Sequence, residues 1–524
     1  MSDRKLSDAK SSDPKSIGGN PHPSPSASQP HSDRRDFLKR GGAAATAGGF
    51  LAGGSFLITG TKASGAIEGA NDRVRMAVAG LNGRGQSHIN GWTKAPNVEL
   101  AYVADPAGKV LQRTMGSLEK RSKGKKLVTK GIDDIRKALD DPTLDAISIA
   151  TPNHWHSLMT IWAAQAGKHV YVEKPMSHDI AEGRVCMAAQ KKYGVVIQHG
   201  TQRRSSAGIA GLHQMLKSGE LPKLKIAYGY CCKPRGSIGF EPVSEPPADL
   251  NWEHWKGPAV IDAYHANYVP YDWHWFWPTG NGDLNNQGTH QLDVARWAID
   301  DDQTHPVRTI AVGGRFAWDD QGETPNTMFA MAEYPNGQMV FFNVRNVNYE
   351  GYQRQVFNEY HLEDGSIISG EGSYKILRPG ASKPEPLKVE PGPVTPGGNW
   401  NAFLAAVRAG DPSMANGNVA DAHYGCVLGH IMNNSYRLGA PAPFSEDVTD
   451  FGGNSDAVEH FGRLHRIMSE GVGISAKEAE YTLGPMLNFD PETERFVGDQ
   501  AVEANALVKD PNNPGYEVPS VESV

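Results

Sequence analysis

The run from Val74 to Gly85, VRMAVAGLNGRG, constrains the fold of this chain more than any other stretch of its 524 residues. Its first half is apolar with little polar interruption, which is typical of a strand buried in a parallel sheet. Three glycines follow, and His88 and Ile89 then continue into a helical pattern. The sequence therefore predicts a buried strand that turns tightly into a helix.

The glycine-rich turn is a predicted binding site for a dinucleotide pyrophosphate. Gly80 allows the tight turn, while Gly83 and Gly85 let backbone amides approach the phosphates in front of the positive helix N-terminus. Asn82 stands where the strict pattern has its second glycine, and asparagine tolerates left-handed backbone better than most residues. We therefore assign the turn, together with Arg84, to the cofactor.

Asp105 closes the next strand-like run, VELAYVAD, 20 residues after Gly85. A carboxylate at this interval accepts hydrogen bonds from the hydroxyls of the adenosine ribose. The same charge repels a 2′-phosphate, so the sequence favours NAD over NADP.

The composition is that of a soluble globular protein with more than one domain. Hydrophobic residues make up 39% of the chain and charged residues 21%, and the net charge of -7 gives no support to nucleic-acid binding. The four cysteines support neither a disulfide framework nor a zinc site, and His154 and His156 lack companions for a metal. No metal is predicted. The cysteines are Cys186, Cys231, Cys232 and Cys426.

The first 70 residues have the pattern of a leader. Residues 1–30 are polar with almost no large apolar side chains, Arg34 and Arg35 form a pair, and residues 41–61 carry no charge. This pattern resembles a twin-arginine export signal, with a small-residue cleavage region at residues 63–66. It predicts export to the periplasm and no stable membrane span after cleavage, with a retained membrane anchor as the alternative.

Strand and helix patterns alternate after Asp105 and predict a doubly wound parallel sheet, the NAD-binding domain, over residues 71–200. Functional side chains then belong at the carboxyl ends of its strands. The predicted strands are 146–150, 169–172 and 195–199, and the predicted helices are 132–138, 158–166 and 180–193.

Beyond about residue 200, β-like runs come without helices between them and predict a mostly antiparallel sheet. We interpret residues 201–440 as an α+β substrate-binding domain and residues 441–524 as a C-terminal extension. The last part of the extension, from about Pro485, is interpreted as an extended surface arm. The predicted strands are 309–312, 327–333 and 338–344, and the predicted helices are 400–409 and 420–438.

Five motifs follow one another along the chain: GLNGRG, the strand-terminal Asp105, ATPNHWH at 150–156, VEKP at 172–175 and GDLNNQGTHQLD at 282–293. In this combination they resemble the Gfo/Idh/MocA family of NAD(P)-dependent oxidoreductases, which act on sugars, inositols and related polyols. The resemblance covers roughly residues 72–440. It implies an N-terminal Rossmann domain and a C-terminal α+β domain with an open-faced, mostly antiparallel sheet, with the active site between them.

Lys174, in VEKP, is the first candidate for a catalytic residue. At the carboxyl end of a strand, in a cleft closed by a nicotinamide, a lysine loses solvation and its pKa falls toward neutrality. It can then hydrogen-bond the reacting hydroxyl and take its proton. His290 matches the family histidine that acts beside this lysine as acid or base.

Asn286 departs from the family pattern, which often has an aspartate four residues before the histidine. An asparagine cannot accept a proton, so proton transfer is assigned to Lys174 and His290. Asn286 is predicted to orient the substrate.

The aromatic run from Tyr271 to Trp277 precedes this motif. Because aromatic faces stack on sugar rings and polar neighbours bind hydroxyls, Asp272, Trp273 and Trp275 are predicted to contact substrate. Core packing is the alternative interpretation.

Further predicted cofactor-binding residues follow the ends of the later strands. They are Thr151, Pro152, Asn153, His156, Glu173, Lys174, Gln202 and Arg203.

These features predict an exported, NAD-dependent oxidoreductase that acts on a sugar, polyol or glycoside. Because a periplasm holds little free NAD, the cofactor is expected to be tightly bound and recycled in place. The alternatives are an NAD-dependent glycosidase or epimerase without net redox change, and a non-catalytic sugar-binding protein on the same fold. Exposed sheet faces in the second domain also favour a homo-oligomer.

Overall fold

The computed structural model describes residues 73–352 and 354–524. The predicted leader, with the arginine pair Arg34 and Arg35, lies outside the described residues.

A parallel sheet occupies the N-terminal part of the described chain. Its strands are β1 (Val74–Ala79), β2 (Val98–Ala104), β3 (Lys130–Ile132), β4 (Ala146–Ile149), β5 (His169–Val172) and β6 (Ile197–His199). Their order across the sheet is β3-β2-β1-β4-β5-β6, and every pairing is parallel. The predicted doubly wound sheet is thereby confirmed. Ligands of such sheets bind where the strand order reverses, which here lies between β1 and β4.

Helices on both faces bury this sheet, which is why its strands are almost wholly apolar. The connecting helices are α1 (Gly83–Lys94), α2 (Gly108–Arg121), α3 (Arg136–Leu139), α4 (His156–Gln165) and α5 (Ile180–Tyr193). A helix from much later in the chain, α10 (Gly398–Ala409), also covers one face. Its Phe403 and Leu404 pack in one cluster with Met76 and Val78 of β1.

One predicted helix of this region is wrong at its start. Residues 132–138 had a helical pattern, but Ile132 ends β3 and only residues 136–139 form helix α3. Ile132 belongs to the strand because β3 pairs with β2, which places Ile132 opposite Ala104. Tertiary pairing therefore overrides a weak local periodicity.

A mixed sheet of twelve strands forms the rest of the described fold. Its strands are β7 (Leu224–Cys231), β8 (Arg308–Gly314), β9 (Thr327–Glu333), β10 (Met339–Arg345), β11 (Asn358–Leu362), β12 (Ile367–Gly370), β13 (Tyr374–Leu377), β14 (Glu385–Leu387), β15 (Ala440–Pro443), β16 (Glu480–Leu483), β17 (Leu487–Asp490) and β18 (Arg495–Val497). The main order is β14-β13-β12-β11-β7-β10-β9-β8-β16-β15. Only the β7–β10 pairing is parallel, so the predicted mostly antiparallel sheet is confirmed.

One face of the mixed sheet packs on helices. Leu212, Leu292 and Leu428 join the inward side chains of β7, β9 and β10 in one core. These leucines belong to three of the remaining helices. The remaining helices are α6 (Ala207–Ser218), α7 (Trp252–Lys256), α8 (Gly282–Asn285), α9 (Thr289–Ala298), α11 (Val419–Arg437), α12 (Ser455–Arg466) and α13 (Ala501–Ala506).

Part of the opposite face of the mixed sheet, formed by strands β7 to β10, is covered by the C-terminal extension. Phe444, Phe461 and Tyr481 pack against Phe329 and Phe341 of the sheet. The C-terminal extension supplies these aromatic side chains and so removes this apolar face from water. Lys375 of β13 stays exposed beyond this covered part, and the self-association expected from the sequence stays a prediction.

The end of the chain is folded, which corrects the expectation of an extended surface arm. Strand β17 pairs with β8 and with β18, and its Leu487 and Phe489 are buried. Further on, Val518 and Val524 are buried in the core of the parallel sheet. The polar composition of this segment concealed the few large apolar residues that it buries.

No helix of the described residues is long and apolar enough to cross a membrane. The four cysteines are free thiols, and each is buried.

Candidate active site

A cavity of about 530 Å³ lies at the carboxyl ends of β1, β4 and β5. Among its lining residues are the candidate catalytic pair, Lys174 and His290, together with Asn286 and Trp273. One cavity thus joins the glycine-rich turn to the candidate catalytic lysine. The predicted cofactor residues that line it are Gly80, Asn82, Gly83, Arg84, Asp105, Thr151, Pro152, Asn153, His156, Glu173, Lys174 and Gln202.

Each glycine of the turn is placed there for a different structural reason. Gly80 has a φ of +79°, and a Cβ there would lie 2.5 Å from the Ala150 carbonyl oxygen. A Cβ on Gly85 would lie 1.9 Å from the Gly80 oxygen, so Gly85 lets helix α1 pack on the turn. Gly83 has a φ of +32° and faces open space, with no atom within 4 Å of a Cβ built on it. Gly83 therefore borders a cradle that is open enough for a phosphate group in front of the N-terminus of α1.

Asn82 precedes helix α1 in an extended conformation, with φ -81° and ψ 173°. The tolerance of asparagine for left-handed backbone therefore does not explain why Asn82 stands in this turn. Its side chain does not cap the helix, and its Oδ1 accepts a hydrogen bond from Arg113 at 2.6 Å. With no side-chain cap and no acidic residue in the first turn, the N-terminus of α1 suits an anion.

Asp105 holds the turn in shape from the end of β2. Its Oδ2 accepts a hydrogen bond from the Leu81 amide and its Oδ1 one from the Ala107 amide, both at 2.9 Å. Burial raises the pKa of Asp105, and the two amides act against that rise. The predicted ribose contact thus falls on a carboxylate that also organises the loop.

Glu173 links the lysine motif to helix α1. Its Oε1 accepts hydrogen bonds from Arg84 Nε at 2.6 Å and from His88 Nε2 at 3.1 Å. Burial alone raises the pKa of Glu173, but the His88 hydrogen bond and the charge of Arg84 bring it well below its usual value. Glu173 is therefore an anion that fixes the neighbouring Lys174 backbone beside the glycine-rich turn.

Lys174 projects from the end of β5 onto Asn286. Its Nζ donates to the backbone oxygen of Asn286 at 2.6 Å and to the side-chain Oδ1 at 3.2 Å. Burial lowers the pKa of Lys174, and the charges of Glu173 and Asp283 oppose that change. The direction matches the one expected for a lysine that serves as a base.

Asp283 is a buried carboxylate that the sequence analysis did not select. It is fully buried, and Arg235 binds both of its oxygens, Nε to Oδ2 at 2.8 Å and NH2 to Oδ1 at 2.7 Å. Asn346 and Asn286 also donate to it, at 2.7 and 3.1 Å. Its place in the GDLNN motif was visible, but Arg235 and Asn346 come from distant segments with no local signal.

Two histidines face the cavity beside the lysine. Burial, followed by the charge of Lys174, lowers the pKa of His290 to about 3. Burial likewise lowers the pKa of His274 to about 3, and its Nδ1 lies 2.6 Å from the Tyr271 carbonyl oxygen. Both rings are therefore neutral near pH 7. His274 belongs to the aromatic run from Tyr271 to Trp277.

The structure places four predicted residues away from the cavity lining. Gly85 lies beneath the turn, and Arg203 pairs with Glu371 at 2.5 Å. Asp272 begins a short 3₁₀ helix, and Trp275 is buried. The contacts predicted for these four with cofactor or substrate stay predictions.

The aromatic run divides between the cavity and the core. Trp273 lines the cavity and also packs with Phe276, Trp255 and Tyr268 in one aromatic cluster. The Arg235 guanidinium lies over the ring of Trp275, 5.1 Å from the ring centre. Core packing, the alternative interpretation, therefore describes Trp275 and Phe276, which are buried and do not line the cavity.

The fold and site together define a Rossmann-type nucleotide-binding protein with a lysine at the carboxyl end of a central strand. Residues 74–201 match the oxidoreductase family with an NAD-binding Rossmann fold, GFO/IDH/MocA, and residues 251–368 match the GFO/IDH/MocA C-terminal domain. The chain belongs to the Gfo/Idh/MocA family of NAD(P)-dependent oxidoreductases.

Several curated relatives share part of the chain. A scyllo-inositol 2-dehydrogenase (NAD(+)) from Bacillus subtilis is 32% identical over 29% of this chain and 42% of its own length. A levoglucosan dehydrogenase from Pseudarthrobacter phenanthrenivorans is 24% identical over 54% of this chain and 70% of its own. A glycosyl hydrolase family 109 protein from Shewanella baltica is 33% identical over 28% of this chain and 35% of its own length. The chain thus spans less than half the length of the first and third relatives.

Solved structures support the fold. An NAD-binding protein from Listeria innocua has a TM-score of 0.51 at 17% identity, over 69% of this chain and 94% of its own. A levoglucosan dehydrogenase complex with NADH and levoglucosan has a TM-score of 0.50 at 17% identity, over 69% and 96%.

Proposed function

We propose that this chain is an NAD-dependent oxidoreductase that acts on a sugar, polyol or glycoside. The observation that carries the proposal is the position of Lys174, which meets Asn286 in the same cavity as the glycine-rich turn. A lysine that shares a nucleotide cavity can act on a hydroxyl placed against the nicotinamide.

The described residues fit a dinucleotide. The open space at Gly83 and the uncapped N-terminus of α1 suit the pyrophosphate, and Asp105 suits the adenosine ribose. The Asp105 carboxylate favours NAD over NADP. When bound, the nicotinamide accepts a hydride from the carbon that bears the reacting hydroxyl.

Lys174 handles the proton of that reaction. As a neutral amine it takes the hydroxyl proton and becomes an ammonium, while the carbon loses its hydride and a carbonyl forms. His290, whose low pKa keeps it neutral, donates or accepts a hydrogen bond and so holds the substrate oxygen beside the amine. Asn286 holds the amine in place through its two oxygens.

Sugar chemistry is the substrate class that the cavity and the relatives support. Trp273 offers an aromatic face, and His274 offers a ring nitrogen that its bond to Tyr271 leaves free. The relatives named above include enzymes of inositol and levoglucosan, both of which are polyhydroxylated rings. We propose polyhydroxylated rings as the substrate class of the present chain and name no particular sugar.

A second candidate is a redox-neutral reaction on a glycoside, and the similarity to the glycosyl hydrolase family 109 protein favours it. Oxidation of a hydroxyl acidifies the neighbouring C–H bond, which permits elimination or epimerisation before the hydride returns. This route suits an exported enzyme, since the cofactor never leaves. We propose export through the twin-arginine motif on the sequence of residues 33–39 alone.

The first test is native mass spectrometry of the purified protein before and after acid denaturation. A released dinucleotide near one per chain supports the proposal and the recycling route, and an empty protein that also fails to bind added NAD contradicts it. Turnover is then measured on two panels, free sugars with NADH absorbance and aryl glycosides with release of the aryl group. NADH formation supports net oxidation, whereas aryl release without NADH supports the redox-neutral route.

A further inference from the structure

The contacts around Lys174 form a chain of hydrogen bonds that ends on an arginine. Lys174 donates to Asn286, Asn286 Nδ2 donates to Asp283, and Asp283 accepts from Arg235. Asp283 and Asn286 are three residues apart in GDLNN, whereas Arg235 comes from a segment 48 residues earlier. Asp283 and Arg235 do not line the cavity, so they can reach substrate only through Asn286 and Lys174.

The number of hydrogens on the Lys174 amine explains how these hydrogen bonds affect its protonation. A neutral amine has two N–H groups, and Asn286 supplies two oxygens for them, its backbone oxygen at 2.6 Å and its Oδ1 at 3.2 Å. With both hydrogens used, the lone pair of the amine is left for a substrate proton. Because both acceptors are uncharged, they do not favour the ammonium as a carboxylate would.

Asp283 sets which atom of the Asn286 amide faces the lysine. Its Oδ1 accepts from Asn286 Nδ2 at 3.1 Å, so the amide oxygen is the atom turned toward Lys174. A bare carboxylate at this place would also attract a proton onto the lysine. Arg235 prevents this by binding both carboxylate oxygens, and Asn346 is a second neutral donor to Asp283, beside Asn286, at 2.7 Å.

We propose that Arg235 and Asp283 are positioning residues that together hold Lys174 as a neutral base: Asp283 orients the Asn286 amide, and Arg235 compensates the charge of Asp283. The inference deepens the proposed function and rests on it for the role of the amine. Arg235 is fixed in turn by Trp275, whose ring lies 5.1 Å from the guanidinium. Trp275, which does not line the cavity, therefore has the role of holding the Arg235 guanidinium in place.

Other charged and titratable groups also act on Lys174. Glu173 is the nearest carboxylate along the chain, and it is already compensated by Arg84 and His88. The Arg235–Asp283 pair therefore differs from Glu173 in having a direct route to the amine through Asn286. The groups that act on Lys174 include Glu173, Asp283, Arg84, Lys233, His156, His199, His274 and His290.

The test measures the protonation of Lys174 directly and needs neither cofactor nor substrate. The full-length protein is trace-labelled with acetic anhydride from pH 6 to pH 11, and acetylation of the Lys174 peptide is followed by mass spectrometry. Arg235→Gln is expected to move the labelling midpoint to higher pH by about one unit or more, because Asp283 is then uncompensated. Asp283→Asn, which keeps the acceptor but removes the charge, is expected to move the midpoint to lower pH.

Two control variants separate charge from loss of stability. Arg315→Gln breaks a similar buried pair, in which Arg315 binds both oxygens of Asp320 at 2.6 and 2.8 Å, and it is expected to leave the Lys174 midpoint unchanged. Arg235→Lys keeps the charge and is expected to restore most of the wild-type midpoint. If Asp283→Asn does not fold, the comparison of Arg235→Gln with Arg235→Lys decides the matter.

The proposal is overturned if Arg235→Gln leaves the midpoint in place, or if the two charge-removing variants shift it in the same direction. Opposite shifts in a protein that binds no NAD would support the arrangement at Lys174 and contradict the proposed function instead. In a protein that does turn over, the ascending limb of kcat/KM against pH is expected to follow the labelling midpoint in each variant.

Discussion

At the scale of single residues, the site is a set of pairs in which each charge has a partner. Glu173 is held by Arg84 and His88, and Asp283 is held by Arg235. Lys174 is different, because its hydrogen bonds go to uncharged oxygens of Asn286. A buried amine without a charged partner loses its proton most easily, so Lys174 is the residue whose chemistry depends most on its surroundings.

Lys174→Met is expected to abolish proton transfer while leaving the nucleotide cavity formed. We expect turnover on a responsive sugar to fall by about 10²- to 10⁴-fold, the usual contribution of a general base, with little change in NAD affinity. Steady-state kinetics and isothermal titration with NAD measure the two quantities. Lys168→Met is the matched control: Lys168 is buried at the other end of β5, where it donates to the Asp141 oxygen. Equal loss of turnover in both variants would contradict a chemical role for Lys174.

Asp105→Asn is expected to weaken NAD binding about tenfold, because an amide cannot accept from both Leu81 and Ala107. It is also expected to narrow the preference for NAD over NADP, since the repelling charge is gone. Competition titrations with the two nucleotides measure both effects. Asp249→Asn serves as the control, because Asp249 also binds a backbone amide, that of Lys109, but lies outside the cavity lining. Unchanged NAD affinity in Asp105→Asn would remove this carboxylate from the cofactor site.

At the scale of elements, the turn between β1 and α1 was predictable because its chemistry is local. A strand, three glycines and a helix follow one another within a few residues, and backbone sterics decide where glycine is required. The reasons for glycine at positions 80 and 83 differ in kind. Gly80 is required by the neighbouring backbone of Ala150, whereas Gly83 faces only the cavity.

This difference predicts opposite effects for two alanine substitutions. Gly80→Ala is expected to destabilise the fold by about 3 kcal/mol, because its Cβ would overlap the Ala150 carbonyl. Gly83→Ala is expected to cost only about 1 kcal/mol from its left-handed backbone but to weaken NAD binding at least about tenfold. Thermal unfolding and NAD titration of both variants provide the comparison. Wild-type NAD affinity in Gly83→Ala would show that the cradle does not hold the pyrophosphate.

At the scale of the whole molecule, the C-terminal extension joins parts of the chain that are far apart in sequence. Its aromatic residues cover part of one face of the mixed sheet, and Val518 and Val524 reach the core of the parallel sheet. Between these, Glu494 Oε1 accepts from His423 Nε2 at 2.9 Å and from His305 Nε2 at 3.2 Å. This acidic residue therefore fastens the β17–β18 hairpin to helix α11 and to the loop before β8.

Glu494→Gln is expected to lower the free energy of unfolding by about 2 kcal/mol at pH 7. Burial raises the pKa of Glu494, but the hydrogen bonds from His305 and His423 bring it to about 2. A carboxyl whose pKa is lowered by folding stabilises the protein above its unfolded pKa, and this contribution is lost as the pH falls from about 5 to 2. Denaturant unfolding at pH 7 and pH 3.5 tests this, with the exposed Glu503→Gln as control. An effect that does not shrink at low pH would contradict the role of the Glu494 charge.

The sequence by itself determined the parallel sheet, the glycine-rich turn and the position of Lys174, because each depends on spacing within one βα unit. It also predicted the antiparallel strands from their lack of intervening helices. It did not show that residues 444–481 cover part of the mixed sheet or that residues after Pro485 are folded, since a polar segment does not reveal which surface its few apolar residues meet. Only the tertiary structure decided that Asp283 meets Arg235 and that Glu494 meets two histidines. Such pairs are set by how distant segments pack, and local periodicity carries no record of that contact.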